Sequence, residues 1–273
     1  MLSIPRSTPT FHLRPGATAA AILLTEATDP PMFSESAELY DLVYSSFKQY
    51  GTETDAVAAI IRSVNPGART VLDVACGTGE HARLLGERHG FEVDGVDLDP
   101  VFARIAAGKN PSGRFVTGDM RNFHLGRHYD AVLCLFSSIG YVRTVDGVTS
   151  AIACFREHVA PSGVIIVEPW FPPGVLDDGH TSSAVNEAGG IRVERRARTE
   201  IDGRMSRLHF DYDVVEHGRA YQATEVHELG LFTVDEMRRA FEINGLAVEH
   251  DPKGLIGRGL YVARPLPDSS AHG

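Results

Sequence analysis

The chain has 273 residues, 43% of them hydrophobic, enough to bury one sizeable core with an insertion. With 36 acidic against 26 basic residues its formal net charge is -10, which argues against binding a nucleic-acid backbone, a task that needs clustered cations. Three cysteines without ligand-like spacing, Cys76, Cys134 and Cys154, suggest neither a metal site nor a disulfide framework and fit a reducing cytoplasm.

Residues 1–31 carry Arg6, Arg14 and a weak apolar stretch, Ala17 to Leu24, too short to cross a bilayer. They read as a disordered or dispensable leader, with Met32 an alternative start. Residues 34–50 are rich in tyrosine (Tyr40, Tyr44, Tyr50), and two readings stay open. Either hydroxyl-tipped rings form a lid over a nucleotide or sugar, or a helix packs those rings on the domain. Val57, Ile60, Ile61 and Val64 then recur at helical spacing, and Asn65-Pro66-Gly67 ends that helix.

Val71 to Glu80, VLDVACGTGE, organises the rest of the chain. An apolar run predicts a strand buried on both faces, and Gly77-Thr78-Gly79 turns it into a helix from Glu80 to His89. Glycines at such a turn let backbone N–H groups approach a ligand, although an ordinary strand-to-helix connection can look the same. The dinucleotide fingerprint needs a third glycine for close helix packing, and Glu80, His81 and Ala82 stand there instead. Glu92 to Asp97 is a second strand ending on an acid about twenty residues beyond the glycines, where a ribose-binding fold needs a carboxylate. A helix from Pro100 to Gly108 leads to a third strand, Arg114 to Thr117, with Asp119 just beyond it. The fourth strand, Tyr129 to Phe136, ends in Ser137-Ser138-Ile139-Gly140-Tyr141.

Thr144 caps a helix whose Val148, Ala151, Ile152, Phe155 and Val159 face the sheet, stopped by Pro161 and Gly163. The fifth strand, Val164 to Glu168, delivers an acid and the only tryptophan, Trp170, to the edge where open α/β sheets bind ligands. From Ile191 the period changes to two: Leu208, Phe210, Tyr212 and Val214 alternate with charged residues, flanked by strands at Val193 to Ile201 and Tyr221 to Phe232. Asp202-Gly203 turns the first pair, and the segment reads as an inserted antiparallel platform that covers a substrate or forms a dimer interface. Thr233 and Glu236 form a capping box for the last helix, which packs Met237, Ala240 and Phe241. Two strands close the chain, Ala247 to Asp251 and Leu260 to Ala263, with Arg258 between Gly257 and Gly259. Arginine is the side chain best shaped to grip a phosphate, and flanking glycines leave room for one.

The run D-x-A-C-G-T-G resembles the first motif of class I S-adenosylmethionine-dependent methyltransferases. Glu38-Leu-Tyr-Asp-Leu, Gly118-Asp-Met-Arg-Asn-Phe, Phe136-Ser-Ser-Ile-Gly-Tyr, Val167-Glu-Pro-Trp-Phe and Gly257-Arg-Gly-Leu-Tyr narrow the resemblance. Together they are similar to the dTDP-linked aminosugar N,N-dimethyltransferases of antibiotic biosynthesis, such as those making desosamine and mycaminose. Trp170-Phe171 stands where that family carries two tryptophans, and Gly254-Leu255-Ile256 where it carries Gly-Pro-Ser. The resemblance implies a Rossmann-like sheet of order 3-2-1-4-5-7-6 with its last strand antiparallel, within a methyltransferase domain at 32–264 interrupted by a platform at about 174–230 and succeeded by a loose tail at 265–273.

It also implies that S-adenosyl-L-methionine is held by Ala75, Gly77, Gly79, Asp97, Leu98, Asp119, Met120 and Phe136, with Asp119 near the adenine amine. Tyr40, Ser138, Tyr141, Glu168, Trp170 and Arg258 would bind the nucleotide-sugar, Tyr40 and Tyr141 as catalytic residues, in a cytoplasmic homodimer with no nucleic-acid or membrane partner. The implied chemistry is attack of a neutral amine on a sulfonium methyl carbon, which asks mainly for alignment. Two further readings stay open: O- or N-methylation of another small metabolite, and a non-catalytic cofactor-binding or NAD-linked protein.

Overall fold

The structure, a computed structural model, describes residues 40–43 and 48–267; the leader at 1–31 and residues 268–273 of the tail lie outside them. Contacts divide the chain into two units. Within the described residues one comprises 49–175 and 229–267, and the other 40–43, 48 and 176–228.

In the larger unit, α1 (Tyr50–Val64) precedes β1 (Thr70–Val74), α2 (Glu80–His89), β2 (Glu92–Asp97), α3 (Pro100–Lys109) and β3 (Phe115–Thr117). Then come β4 (Tyr129–Cys134), a 3-10 helix (Ser138–Val142), α4 (Val145–His158) and β5 (Val159–Val167). After the four strands of the second unit, β6 to β9, the chain returns as α5 (Val234–Glu242), β10 (Leu246–Asp251) and β11 (Leu260–Pro265). The hydrogen-bonded order is β3-β2-β1-β4-β5-β11-β10, and β11 runs antiparallel to both β5 and β10. Counted within this sheet, that is the expected 3-2-1-4-5-7-6 order with its last strand reversed.

The continuous apolar runs of β1, β4 and β5 are explained by cover on both faces. Leu72, Val74, Val132, Ile165 and Val167 pack on one side with Ile152, Phe155 and Phe241. Val71, Leu133, Val164 and Ile166 pack on the other with Val57, Ile61 and Leu85. Alternate strand residues point to opposite faces, so a doubly covered strand needs an apolar side chain at nearly every position. The expected caps are present. Thr144 Oγ1 accepts the Gly147 N–H at 3.0 Å, and Thr233 with Glu236 closes a reciprocal box at α5. The fifth strand starts earlier than its apolar run. Val159 already pairs with Tyr129, and a bulge intervenes before Val164 pairs with Ala131.

In the smaller unit β6 (Thr181–Ala188), β7 (Ile191–Asp202), β8 (Met205–Glu216) and β9 (Arg219–Gly230) form one antiparallel sheet in that order. Phe210, Tyr212 and Val214 are buried as their alternation predicts, and Asp202 pairs with Met205 around a hairpin in which Gly203 has φ 58°. Strand β6 is an addition to the three expected. It has no apolar alternation, buries only Asn186, and is held as an edge strand through its pairing with β7. Residues 40–43 are helical, and the Asn186 amide donates to the Val43 carbonyl at 3.3 Å. Among the described residues no helix is long and apolar enough to cross a membrane.

Gly79 caps α2 in the left-handed region, φ 77°, and a Cβ there would lie 2.8 Å from Ala106 Cβ and 2.9 Å from Ala106 Cα on α3. It therefore serves the close helix approach for which the sequence offers no third glycine. Gly79→Ala is expected to cost about 2–4 kcal/mol, from left-handed backbone plus overpacking. Urea unfolding monitored by circular dichroism checks this, and an unchanged midpoint would mean that α3 moves aside freely.

Candidate active site

The parallel strands end along one edge of the sheet, and their last residues leave regular geometry there. Ala75 (φ 58°) and Gly77 (φ 54°) come after β1 in the left-handed region. The turn is tied to β2 by two bonds, Cys76 N–H to the Val96 carbonyl at 3.1 Å and Gly77 N–H to Asp97 Oδ2 at 2.7 Å. Asp97 Oδ1 accepts the Asp99 N–H at 2.9 Å. The Leu98 amide also bonds to this carboxyl, whose two oxygens offer about four acceptor sites. Burial pushes the Asp97 carboxyl up from 3.8 to about 6, against the pull of the Asp99 and Gly77 amides.

A carboxylate seated against the glycine turn suits hydroxyl donors such as those of a ribose. Leu98, next in the chain, is 70% exposed and offers an apolar surface beside that carboxylate.

Beyond β3, Asp119 is engaged by a residue that the sequence does not single out. Arg121 Nε donates to its two oxygens at 2.9 and 3.1 Å and Nη2 to Oδ2 at 2.5 Å, and this pairing holds the carboxyl below its ordinary value. The D-x-R spacing is the one signal available for it. Met120 is partly buried against the core.

At the end of β4, Phe136 (φ 54°) and Ser137 (φ 61°) are consecutive left-handed residues without glycine's freedom. Glu168, fully buried after β5, accepts the Phe136 N–H on Oε2 at 2.7 Å, while its own N–H donates to the Cys134 carbonyl at 2.9 Å. Its carboxylate therefore holds the backbone of that turn. Ser138 opens the 3-10 helix, which carries Tyr141 47% exposed. Because β11 is antiparallel to β5, with Tyr261 opposite Val167, the residues just before Leu260 arrive beside the segment that comes after β5. Arg258 is delivered there. Its Nη1 donates to Ser137 Oγ at 3.0 Å, and its guanidinium carbon stands 5.0 Å from the Trp170 ring, 5.6 Å from Phe136 and 5.7 Å from Phe171. Trp170 and Phe171 meet edge to face at 5.0 Å.

Two neighbouring groups result, Ala75, Gly77, Asp97 and Leu98 at the β1 and β2 ends, and Phe136, Ser138, Tyr141, Glu168, Trp170 and Arg258 at the β4 and β5 ends. Tyr40 belongs to the other unit. Ser137 and Phe171 join the second group unanticipated.

The sequence pattern of the methyltransferase domain family matches residues 71–163, the stretch from β1 to the start of β5. A Streptomyces fradiae protein named dTDP-3-amino-3,6-dideoxy-alpha-D-glucopyranose N,N-dimethyltransferase is 40% identical over 233 residues, covering 85% of this chain and 91% of its own. The chain is an S-adenosylmethionine-dependent methyltransferase of that family. Two solved structures are close to this methyltransferase. DesVI of Streptomyces venezuelae has 37% identity and a TM-score of 0.80 over 84% of this chain and 98% of its own. CalS10, an amino pentose methyltransferase from Micromonospora echinaspora solved with S-adenosylmethionine bound, has 34% identity and a TM-score of 0.76 over 82% and 95%.

The residues present fit that cofactor, since Asp97 offers a buried acceptor and the turn presents no cation for a phosphate. Cys76 in the methyltransferase's turn is a buried free thiol. Burial first, then the charges of Asp73 and Asp97, pushes its thiol well above the ordinary value. Asp97 is expected to give cofactor affinity a pH dependence. Its folded carboxyl titrates near 6 rather than 3.8, so its charge weakens the fold as pH rises through that window, while ribose binding favours the charged acceptor. S-adenosylhomocysteine affinity is expected to fall as pH drops below about 6. Asp97→Asn is expected to lose about 10-fold at pH 8 and to bind with a flat profile between pH 5 and 8. Calorimetry across that range tests both, and a pH-dependent Asp97→Asn protein would move the titrating group elsewhere.

Proposed function

We propose that this methyltransferase twice methylates the amino nitrogen of a dTDP-linked deoxyaminosugar, in the cytoplasm and as a homodimer, on the way to an antibiotic or similar secondary metabolite. The observation that carries this reading is the 40% identity, over 91% of its length, to a relative named for that reaction. Arg258 supports it from the site side, a planar fork in aromatic walls at the edge where a diphosphate needs a partner.

S-adenosylmethionine supplies a methyl group already activated on a sulfonium. Ala75, Gly77, Gly79, Asp97, Leu98, Asp119, Met120 and Phe136 would hold it. Asp97 accepts from ribose hydroxyls, Leu98 and Met120 flank the base, and Asp119 acts near the adenine amine together with Arg121. On the substrate side Arg258 takes the diphosphate, and Ser138 and Trp170 bound the sugar. Glu168 acts through the Phe136 backbone that it holds. Tyr141, half exposed at the end of β4, orients the amine and takes its proton late, directly or through water, with Tyr40 as the second catalytic tyrosine. Alignment supplies most of the acceleration, about 7 kcal/mol or more in favourable cases, and proton removal on the order of 100-fold or less.

Steady-state kinetics on both substrates test the assignment. Arg258→Lys keeps the charge and loses the fork, so it is expected to raise the nucleotide-sugar KM roughly 10-fold and leave S-adenosylmethionine binding unchanged, with Arg258→Met worse. A mutant that melts earlier yet keeps its nucleotide-sugar KM would make Arg258 a structural brace.

A further inference from the structure

We infer that Ser137 is a positioning residue for the nucleotide-sugar, acting through Arg258. The inference rests on the proposed role of Arg258 and assigns the group that fixes it. Ser137 is 1% exposed, and its hydroxyl has a single proton. That proton goes to the Pro169 carbonyl at 2.8 Å, so toward Arg258 Nη1, at 3.0 Å, the oxygen accepts. The direction of the chain is therefore settled without choice: Arg258 donates to Ser137, and Ser137 donates to Pro169.

Three features make this a device for orienting Arg258. The backbone of Ser137 is left-handed, φ 61°, which an L residue adopts at a cost unless something holds it. Glu168 holds the preceding residue by its amide, and the Pro169 carbonyl holds the Ser137 hydroxyl, so both anchors come from the segment that ends β5. The guanidinium is bounded by Phe136, Trp170 and Phe171, which limit its tilt, while Ser137 fixes its rotation in the plane. A guanidinium carries five N–H donors, and the bond to Ser137 uses one of them. A long side chain fixed in this way loses less freedom when a ligand binds, and its loss of order appears as weaker binding.

A double-mutant cycle tests the inference, with thymidine diphosphate as probe and S-adenosylhomocysteine present, read by calorimetry. Ser137→Ala is expected to weaken thymidine diphosphate roughly 10-fold, to leave S-adenosylhomocysteine within about two-fold, and to add less than two-fold in an Arg258→Ala background. Ser137→Gly removes the hydroxyl while relaxing the left-handed backbone, and it takes the place of the alanine variant if that one does not fold. Unchanged thymidine diphosphate affinity, an equal loss in both backgrounds, or a matching loss of S-adenosylhomocysteine would each overturn the positioning role. Wild-type protein that fails to bind thymidine diphosphate would overturn the nucleotide-sugar reading and this inference with it, whereas normal wild-type binding with an unaffected Ser137→Ala overturns this inference alone.

Discussion

A carboxylate that accepts backbone N–H groups from a neighbouring strand's loop is the interaction on which this fold depends. At the entry edge of the sheet, Asp130 Oδ2 takes the Arg69 and Thr70 amides at 2.8 and 2.9 Å, and Asp94 Oδ1 takes that of Arg114 at 2.8 Å. At the exit edge Asp97 takes Gly77 and Glu168 takes Phe136. Parallel strands cannot be closed by tight turns, so their ends need partners from elsewhere in the chain. Hydrogen bonds to a charged acceptor are about twice as strong as neutral ones, which suits single bonds that must hold an entire loop. The entry-edge pairs serve stability. Those at the exit edge hold left-handed turns, where strain leaves the backbone shaped for a ligand.

That division explains what was legible in the sequence. Buried strands announce themselves, because cover on both faces demands apolar residues throughout, as in Val164 to Val167. Phe210, Tyr212 and Val214 announce one covered face by period two. Strand β6 does not, since TSSAVNEA is fixed by its partner's hydrogen bonds and buries a single side chain, that of Asn186. At the site, Asp97 and Arg258 stand out because their neighbours in sequence, a strand end and two glycines, mark them. The partnership of Ser137 with Arg258 spans 121 positions and depends on β11 running back along β5, so no local pattern announces it. Arg121 lies two residues from Asp119, yet a surface arginine beside an acid is too common to stand out.

The left-handed residues carry the link from fold to chemistry. Ala75, Phe136 and Ser137 each come after a strand that is rigid because it is buried. Each departure from favourable backbone costs roughly 1–3 kcal/mol and survives because the surroundings over-determine it. Gly77 and Phe136 amides are fixed by buried carboxylates, and the Ser137 hydroxyl by a carbonyl. A methyl transfer needs its partners held in line more than it needs a strong base, so a site made of stiff turns with few titrating groups matches the demand.

Charge is used locally. The chain is acidic overall, yet it places Arg258 among three aromatic rings. Two arginines of the platform are answered on the spot, Arg196 by Asp213 at 2.6 Å, and Arg207 by Glu228 at 3.0 Å and Glu200 at 3.1 Å. Such exposed pairs partly cancel one another's field and are screened by salt within about 10 Å. Arg258 is set apart by its surroundings. Its guanidinium carbon lies 5.0 Å from the Trp170 ring, 5.6 Å from Phe136 and 5.7 Å from Phe171, distances at which a cation is attracted by an aromatic face. A net charge of -10 argues against binding a nucleic-acid backbone, and the diphosphate proposed for this site would meet a local cation rather than the field of the whole chain.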